Sequence, residues 1–121
     1  MIYELRLPLI IPQMTGATVE CLYVAEGDAL KLGSKFMDLS VDLGSAFAQE
    51  CPPFSFYRFI LREPAYLRQF SARPGQLFNL DDRIALFSTT PDEPLDEAPT
   101  RQLRITTAGI IHHDQMWTGS H

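Results

Sequence analysis

The chain has few cysteines and no long apolar run. Its 121 residues include only Cys21 and Cys51, too few for a disulfide framework. No apolar stretch approaches the roughly 20 residues that a membrane-spanning helix needs. Glu4 and Arg6 stand close to the start, which is unlike a secretory signal peptide. We therefore expect a cytoplasmic protein with reduced thiols and one main domain.

Positive charge is also scarce. Ten lysines and arginines stand against fifteen acidic residues, so the formal net charge is −5. Nucleic-acid binding needs a basic face that displaces counterions from phosphates, so nucleic acid is not an expected partner. The arginines in the middle of the chain alternate with apolar residues and are predicted to face solvent from strands: Arg58, Arg62, Arg68 and Arg73.

Helical periodicity is absent as well. No segment repeats its apolar residues with a period of 3.6, whereas short alternating segments and glycine or proline turns recur. Many short strands separated by turns predict an all-β sandwich or barrel. The predicted strands are Ile2–Ile11, Ala17–Ala25, Phe36–Val41, Phe54–Arg62, Ala65–Ala72, Arg83–Ser88 and Leu103–Ile111.

The composition changes near Thr89. Residues 89–100 are acidic and rich in proline, which favours an extended, solvated linker. The chain is therefore divided into a β-domain over residues 1–88, a linker over 89–100, and an extra strand with a tail over 101–121.

Two segments of the chain share one pattern. Residues 26–36 align over residues 74–84, and each copy has a glycine turn, an apolar pair, a second turn, a basic residue and a strand. In the preceding strands, Val19 falls over Leu67 and Leu22 over Phe70. The pattern predicts two similar β-units related by a pseudo-two-fold axis, because a single hairpin cannot bury enough apolar surface alone. A chance likeness between two strand–turn–strand units is the alternative.

The first copy resembles the biotinyl/lipoyl attachment family. The resemblance rests on Glu26-Gly27-Asp28-x-Leu30-x-x-Gly33, followed by an apolar strand that ends at Val41-Asp42. It covers roughly Leu5 to Ser88. It implies a flattened barrel or sandwich of two small antiparallel sheets with a pseudo-two-fold axis, a barrel-sandwich hybrid also called the hammerhead fold.

The chain departs from that family at the modified residue. The family carries its prosthetic group on a lysine directly after the strand that ends here at Asp42, and that position is Leu43. The two lysines, Lys31 and Lys35, fall in the preceding turn. The segment before the next strand is also longer than the family's tight turn. Because the prosthetic acid is attached through an amide to a primary amine, we expect neither lipoylation nor biotinylation at this position.

Other reactive side chains receive structural interpretations. Cys21 alternates with Val19 and Tyr23 and is predicted to be buried with them, whereas Cys51 is predicted to be exposed. Ser45 follows an aspartate as in phosphopantetheine attachment sequences, but no helix is predicted there. Asp81-Asp82 is predicted to be a turn. No metal site is expected from the imidazole and carboxylate groups near the end of the chain, which are His112, His113, Asp114 and His121.

The predicted function is a non-catalytic protein-interaction module with no cofactor and no catalytic residue. Its expected partner is a protein, which the resemblance suggests is a component of a multienzyme complex. Phe54 and Phe56 either join the contact surface or belong to the core. The predicted partner-binding residues are Asp42, Leu43, Gly44, Ser45 and Phe47.

Two alternatives concern other surfaces. Leu103–Ile111 is predicted to add a strand to its own sheet or to form a homodimer through an exposed edge. A small-molecule-binding protein or an enzyme would instead place its ligand between the sheets or under the tip formed by residues 43–53.

Overall fold

The computed structural model describes residues 1–43 and 56–110, and these ranges contain ten β-strands and no helix. The all-β prediction is therefore confirmed for the described residues. The strands are β1 (Ile2–Arg6), β2 (Met14–Leu22), β3 (Ala29–Leu30), β4 (Lys35–Leu43), β5 (Phe56–Leu61), β6 (Ala65–Phe70), β7 (Leu77–Asn79), β8 (Arg83–Ser88), β9 (Arg101–Gln102) and β10 (Ile105–Ile110).

The strands form two sheets that make a small sandwich. Sheet A has the order β3-β6-β8-β1-β9, and sheet B has the order β10-β5-β4-β2-β7. Neither sheet closes on itself, so of the two predicted forms the sandwich is correct and the closed barrel is not. All the pairings are antiparallel except that of β9 with β1, which makes sheet A mixed rather than purely antiparallel.

A pseudo-two-fold relationship links residues 1–43 to residues 56–88. When β1, β2, β3 and β4 are matched in order to β5, β6, β7 and β8, each strand pairing corresponds to another pairing of the fold. β1 pairs with β8 as β5 pairs with β4, and β2 pairs with β4 and β7 as β6 pairs with β8 and β3. Each sheet thus contains strands from both halves of the chain. The two halves are therefore expected to fold together, because neither can complete a sheet alone.

The register follows the same exchange. Val19 lies opposite Leu39 in sheet B, as Leu67 lies opposite Phe87 in sheet A. Both pairs of strands also shift register directly after these residues. The predicted repeat, with Val19 over Leu67, is therefore confirmed residue by residue.

The turns repeat as well. Gly27 and Gly75 both have positive φ, 97° and 90°, and their amides donate hydrogen bonds to the carbonyls of Leu67 and Val19, at 2.8 and 2.7 Å. Backbone positions with positive φ favour glycine, because glycine has no Cβ. At the second turn, Gly33 has a φ of 91°, and Asp81 occupies the corresponding place with a φ of 69°.

Aromatic side chains from both halves fill the space between the sheets. Phe36, Phe59 and Phe87 are completely buried. The ring of Phe36 lies 4.9 Å from that of Phe70 and 5.6 Å from that of Phe87, in tilted arrangements that aromatic pairs favour. This shared aromatic core joins the two halves.

The burial predicted for Cys21 is wrong. Val19 is buried, but the register shifts between Val19 and Cys21, and the Cys21 side chain is exposed. A β-bulge inserts one residue and therefore reverses the alternation of side chains beyond it. The sequence alone contains no sign of this bulge.

Residues 89–100 contact sheet A. The guanidinium of Arg68 donates to the Ser88 hydroxyl at 3.1 Å and to the Glu93 carbonyl at 2.6 Å, and Ser88 is completely buried. The Thr100 amide donates to the carbonyl of Ile2 at 2.7 Å, directly before β9 joins β1. This segment therefore leads the chain across sheet A before β10 reaches sheet B.

Candidate functional site

The predicted contact residues begin at the end of β4. The backbones of Asp42 and Leu43 are paired with Gly16 and Met14 of β2. Gly44, Ser45 and Phe47 lie outside the described residues, as do Cys51 and Phe54. The structure therefore places the first two predicted contact residues on a strand and does not test the role of the set.

The two lysines lie away from this position. Lys31 is exposed in the turn between β3 and β4, and Lys35 is the first residue of β4. The strand runs for nine residues from Lys35 to Leu43. Both lysines are thus at the opposite end of β4 from Leu43, and Lys35 begins the strand rather than lying in the preceding turn as predicted.

Phe56 lies on the outward side of β5. Burial alternates along this strand, with Tyr57, Phe59 and Leu61 buried and the three residues between them half-buried. Phe56, Arg58 and Ile60 therefore face away from the core. The sequence leaves open whether Phe56 belongs to the core or to the surface, and its outward position on β5 favours the surface.

A polar cluster that the sequence did not reveal lies on the same face, and we call Tyr23, Asp38 and Arg58 the polar triad. The Arg58 guanidinium donates to both carboxylate oxygens of Asp38, at 2.8 and 3.1 Å. The Tyr23 hydroxyl donates to Asp38 at 2.6 Å and accepts from Arg58 at 3.0 Å. The three side chains thus satisfy one another on the outer face of sheet B.

The polar triad shifts the ionisation of its members. Burial raises the pKa of Asp38, but the hydrogen bonds from Arg58 and Tyr23 outweigh burial, and the net pKa is below its usual value of 3.8. The hydrogen bond to Asp38, together with burial, raises the pKa of Tyr23 to about 12. At neutral pH the cluster is therefore an ion pair with a neutral tyrosine, which is a structural arrangement rather than an acid–base pair poised for catalysis.

Two cations flank the Tyr23 ring. The Arg58 guanidinium carbon lies 5.2 Å from the ring centroid, and the Lys35 ammonium nitrogen lies 5.6 Å from it. These distances allow cation–π attraction.

Of the arginines predicted to face solvent, Arg62 and Arg73 are exposed, whereas Arg58 and Arg68 are held by the hydrogen bonds described above.

A second cluster fixes the chain before β10. Arg101 forms a two-point ion pair with Glu63, at 2.7 and 2.8 Å, and its guanidinium lies 4.0 Å from the centroid of the Tyr3 ring. Glu63 also accepts a hydrogen bond from the Arg104 amide at 2.8 Å. The hydrogen bonds from Arg101 lower the pKa of Glu63, so the pair is ionised at neutral pH.

Two depressions lie on the described surface near the turns. One of about 360 Å³ lies beside the polar triad and is lined by Tyr23, Val24, Asp28, Ala29, Leu30, Ser34 and Lys35. A second of about 310 Å³ is lined mainly by residues of β3 and β6. Both lie at turns and strand edges rather than between the sheets.

The described residues contain no group of three or more histidine, cysteine, aspartate or glutamate side chains that could hold a metal ion. His112, His113, Asp114 and His121 lie outside this part of the chain. Within residues 1–43 and 56–110 no helix is long and apolar enough to cross a membrane.

The polar triad could have been anticipated from one feature of the sequence. Asp38 interrupts the apolar strand around Phe36 and Leu39, and such a residue needs a partner when it is buried. Its partner is set by the pairing of β4 with β5, which places Arg58 directly opposite Asp38.

Comparisons with family models, with curated proteins and with solved structures found no match to this chain.

Proposed function

We propose that this chain is a non-catalytic protein-interaction module of the biotinyl/lipoyl-carrier type that carries no prosthetic group. The observation that supports the proposal is the exchange of pairings between two halves of a small sandwich, with Leu43 at the end of β4. A carrier of this type needs a lysine at that place, because the prosthetic group is joined through an amide. Leucine cannot form that bond.

The packing between the sheets favours binding of a partner at the surface over binding of a ligand in the interior. Phe36, Phe59 and Phe87 are completely buried between the sheets, and the two depressions described above lie at turns and strand edges. A ligand enclosed between the sheets would need the space that the three phenylalanine side chains fill. The alternative of a ligand between the sheets is therefore less well supported than docking of a protein.

The proposed docking surface starts at the end of β4 and continues onto the outward side of β5. It comprises Asp42, Leu43, Gly44, Ser45 and Phe47, extended by Phe56. Apolar and aromatic side chains at the centre of a contact surface commonly supply most of the binding free energy. The partner is a protein, and a component of a multienzyme complex is the candidate that the carrier resemblance suggests.

Intact-mass measurement of the protein from its native cells tests the first half of the proposal. We expect the unmodified mass. An added lipoyl, biotinyl or phosphopantetheinyl group on Lys31, Lys35 or Ser45 would contradict the proposal, because the protein would then be a carrier.

Quantitative pull-down with Leu43→Ala and Phe47→Ala tests the second half. Both variants should retain at least about tenfold less of the partner, as expected when a central contact residue is truncated. Leu32→Ala is the matched control, because Leu32 is 69% exposed in a turn at the other end of β4. Unchanged recovery with both tip variants would show that the docking surface lies elsewhere.

A further inference from the structure

Among residues 1–43 and 56–110, the strand β10 is the longest sheet edge, and no described residue covers it. It has six residues, whereas the other edge strands in the described part of the chain, β3, β7 and β9, have two, three and two. Natural proteins protect sheet edges with short strands, charged residues, proline or bulges. The sequence of β10 has no charged residue and no proline, and its pairing with β5 is regular from Ile105 to Ile110.

The direction of its free backbone groups follows from the ladder. The Arg62 amide donates to the Arg104 carbonyl at 2.9 Å, which makes these two residues a hydrogen-bonded pair. Such pairs alternate along an antiparallel ladder, so Thr106, Ala108 and Ile110 turn their amides and carbonyls towards β5. Ile105, Thr107 and Gly109 turn theirs outwards, and no described residue binds them.

We propose that β10 pairs with β10 of a second copy of this chain, in an antiparallel arrangement centred on Thr107. This register uses all three outward-facing residues. Ile105 lies opposite Gly109 of the second copy, and Thr107 lies opposite Thr107 of the second copy. Each of these pairs exchanges two hydrogen bonds. Sheet B then continues without interruption through both copies.

The side chains of β10 suit a second copy. Ile105, Thr107 and Gly109 lie opposite the buried residues Leu61, Phe59 and Tyr57, so they share the core-facing side of the sheet. A two-fold axis perpendicular to the sheet places core-facing residues next to core-facing residues. Two copies that each carry a net charge of −5 repel one another, but β10 brings no charged side chain to the contact.

The contact is small, so the dimer is expected to dissociate on dilution. Pairing of two six-residue strands buries less area than a standard interface of about 1,600 Å². Sedimentation velocity over a range of concentrations should therefore show a reversible equilibrium between monomer and dimer. A monomer at every concentration up to about millimolar, the affinity at which binding contributes only about 4 kcal/mol, would overturn the proposal.

Two variants test the edge. Ala108→Lys adds a charge near the two-fold axis, and Thr107→Pro removes an outward amide while leaving the bonds to β5 in place. Each should raise the dimer dissociation constant by about tenfold or more, because each change occurs in both copies. Leu77→Lys is the matched control on β7, the opposite edge of sheet B, and should leave the dimer unchanged. Equal dissociation by Leu77→Lys would refute the β10 contact.

Disulfide cross-linking tests the register. In a Cys21→Ser, Cys51→Ser background, Thr107→Cys places two thiols opposite one another, with Cα atoms about 5.5 Å apart, within the range of a disulfide. Thr106→Cys is the control, because its two copies would be diagonal neighbours about 7–8 Å apart. Faster cross-linking at 107 supports the register, and equal or faster cross-linking at 106 overturns it. These variants leave residues 42–47 unchanged, so the result is independent of partner docking there.

Discussion

Residues 1–43 and residues 56–88 have the same strand order, register and turn conformations, but their outward-facing side chains differ. Asp38 in β4 corresponds to Leu86 in β8, and Arg58 opposite Asp38 corresponds to Glu4 opposite Leu86. The pairing of β4 with β5 has an ion pair at this place. The pairing of β8 with β1 has a leucine there, and Glu4 binds Arg83 in the neighbouring strand and Arg6 in its own. The comparison indicates that core residues and turns maintain the register, while outward positions are free to differ.

The two halves also differ in what covers them. Ser88 is completely buried and accepts a hydrogen bond from Arg68, which also binds the backbone of Glu93. The corresponding Ser40 is half-buried and donates to Glu20 at 2.7 Å. Residues 89–93 thus contact the second half at a place that the described residues leave more open in the first. This difference supports the proposal of a docking surface on sheet B.

The largest expected effect comes from the core residue that joins the halves. Phe36→Ala removes the ring that contacts Phe70 and Phe87, and it should lower the free energy of unfolding by about 3–5 kcal/mol. Ile84→Ala, at the corresponding position of the second half, should cost about 2–4 kcal/mol because it leaves a smaller cavity. Urea denaturation measures both. A smaller loss for Phe36→Ala than for Ile84→Ala would contradict the central role of the Phe36 ring.

Asp38→Asn tests the ion pair between β4 and β5, which the corresponding pairing of β8 with β1 lacks. It should lower the free energy of unfolding by about 1–2 kcal/mol near neutral pH, because a hydrogen bond to a charged group is replaced by one to a neutral amide. The pKa of Asp38 in the folded protein is below 3.8, so this contribution is complete above pH 3.8 and is lost as the pH falls through the lowered value. Measured by urea denaturation between pH 7 and pH 2, the free energies of unfolding of the variant and the wild type should therefore converge at the acidic end.

The control for that titration is Asp92→Asn, at an exposed aspartate that forms no ion pair with any described residue. It should change the free energy of unfolding by less than about 0.5 kcal/mol. A loss for Asp38→Asn that did not diminish in acid would mean that packing, rather than charge, accounts for its contribution.

The smallest expected effect concerns the corresponding turn residues Gly33 and Asp81. Both have positive φ, and a Cβ at Gly33 would meet no atom within 4 Å, so only backbone strain opposes a side chain there. Gly33→Ala should cost about 1 kcal/mol. Asp81→Gly should change the free energy of unfolding by less than about 0.5 kcal/mol, because relief of strain is offset by greater freedom of the unfolded chain. Thermal denaturation distinguishes the two, and equal effects would contradict the assigned turn equivalence.

The absence of helical periodicity, the glycine turns and the alignment of residues 26–36 with residues 74–84 were sufficient to predict an all-β sandwich or barrel with two related halves, and the open sheets decided for the sandwich. These features are local, so they can be read from one strand and one turn at a time. The burial of Cys21 was predicted wrongly because a bulge depends on how β2 pairs with β4. The polar triad was missed because its members are 15 to 35 residues apart in the chain and meet only across strands.

The sequence by itself determined the places of seven of the ten described strands, all except the short β3, β7 and β9, and it determined where glycine must allow a turn and that no lysine stands at position 43. Side-chain chemistry and alternation along a single strand are sufficient for those conclusions. The tertiary structure decided that strands of both halves share each sheet, that Asp38 meets Arg58 and Tyr23, and that β10 forms an edge beside β5. Pairing between distant strands creates these contacts, and the free energy that selects one pairing comes from the whole core.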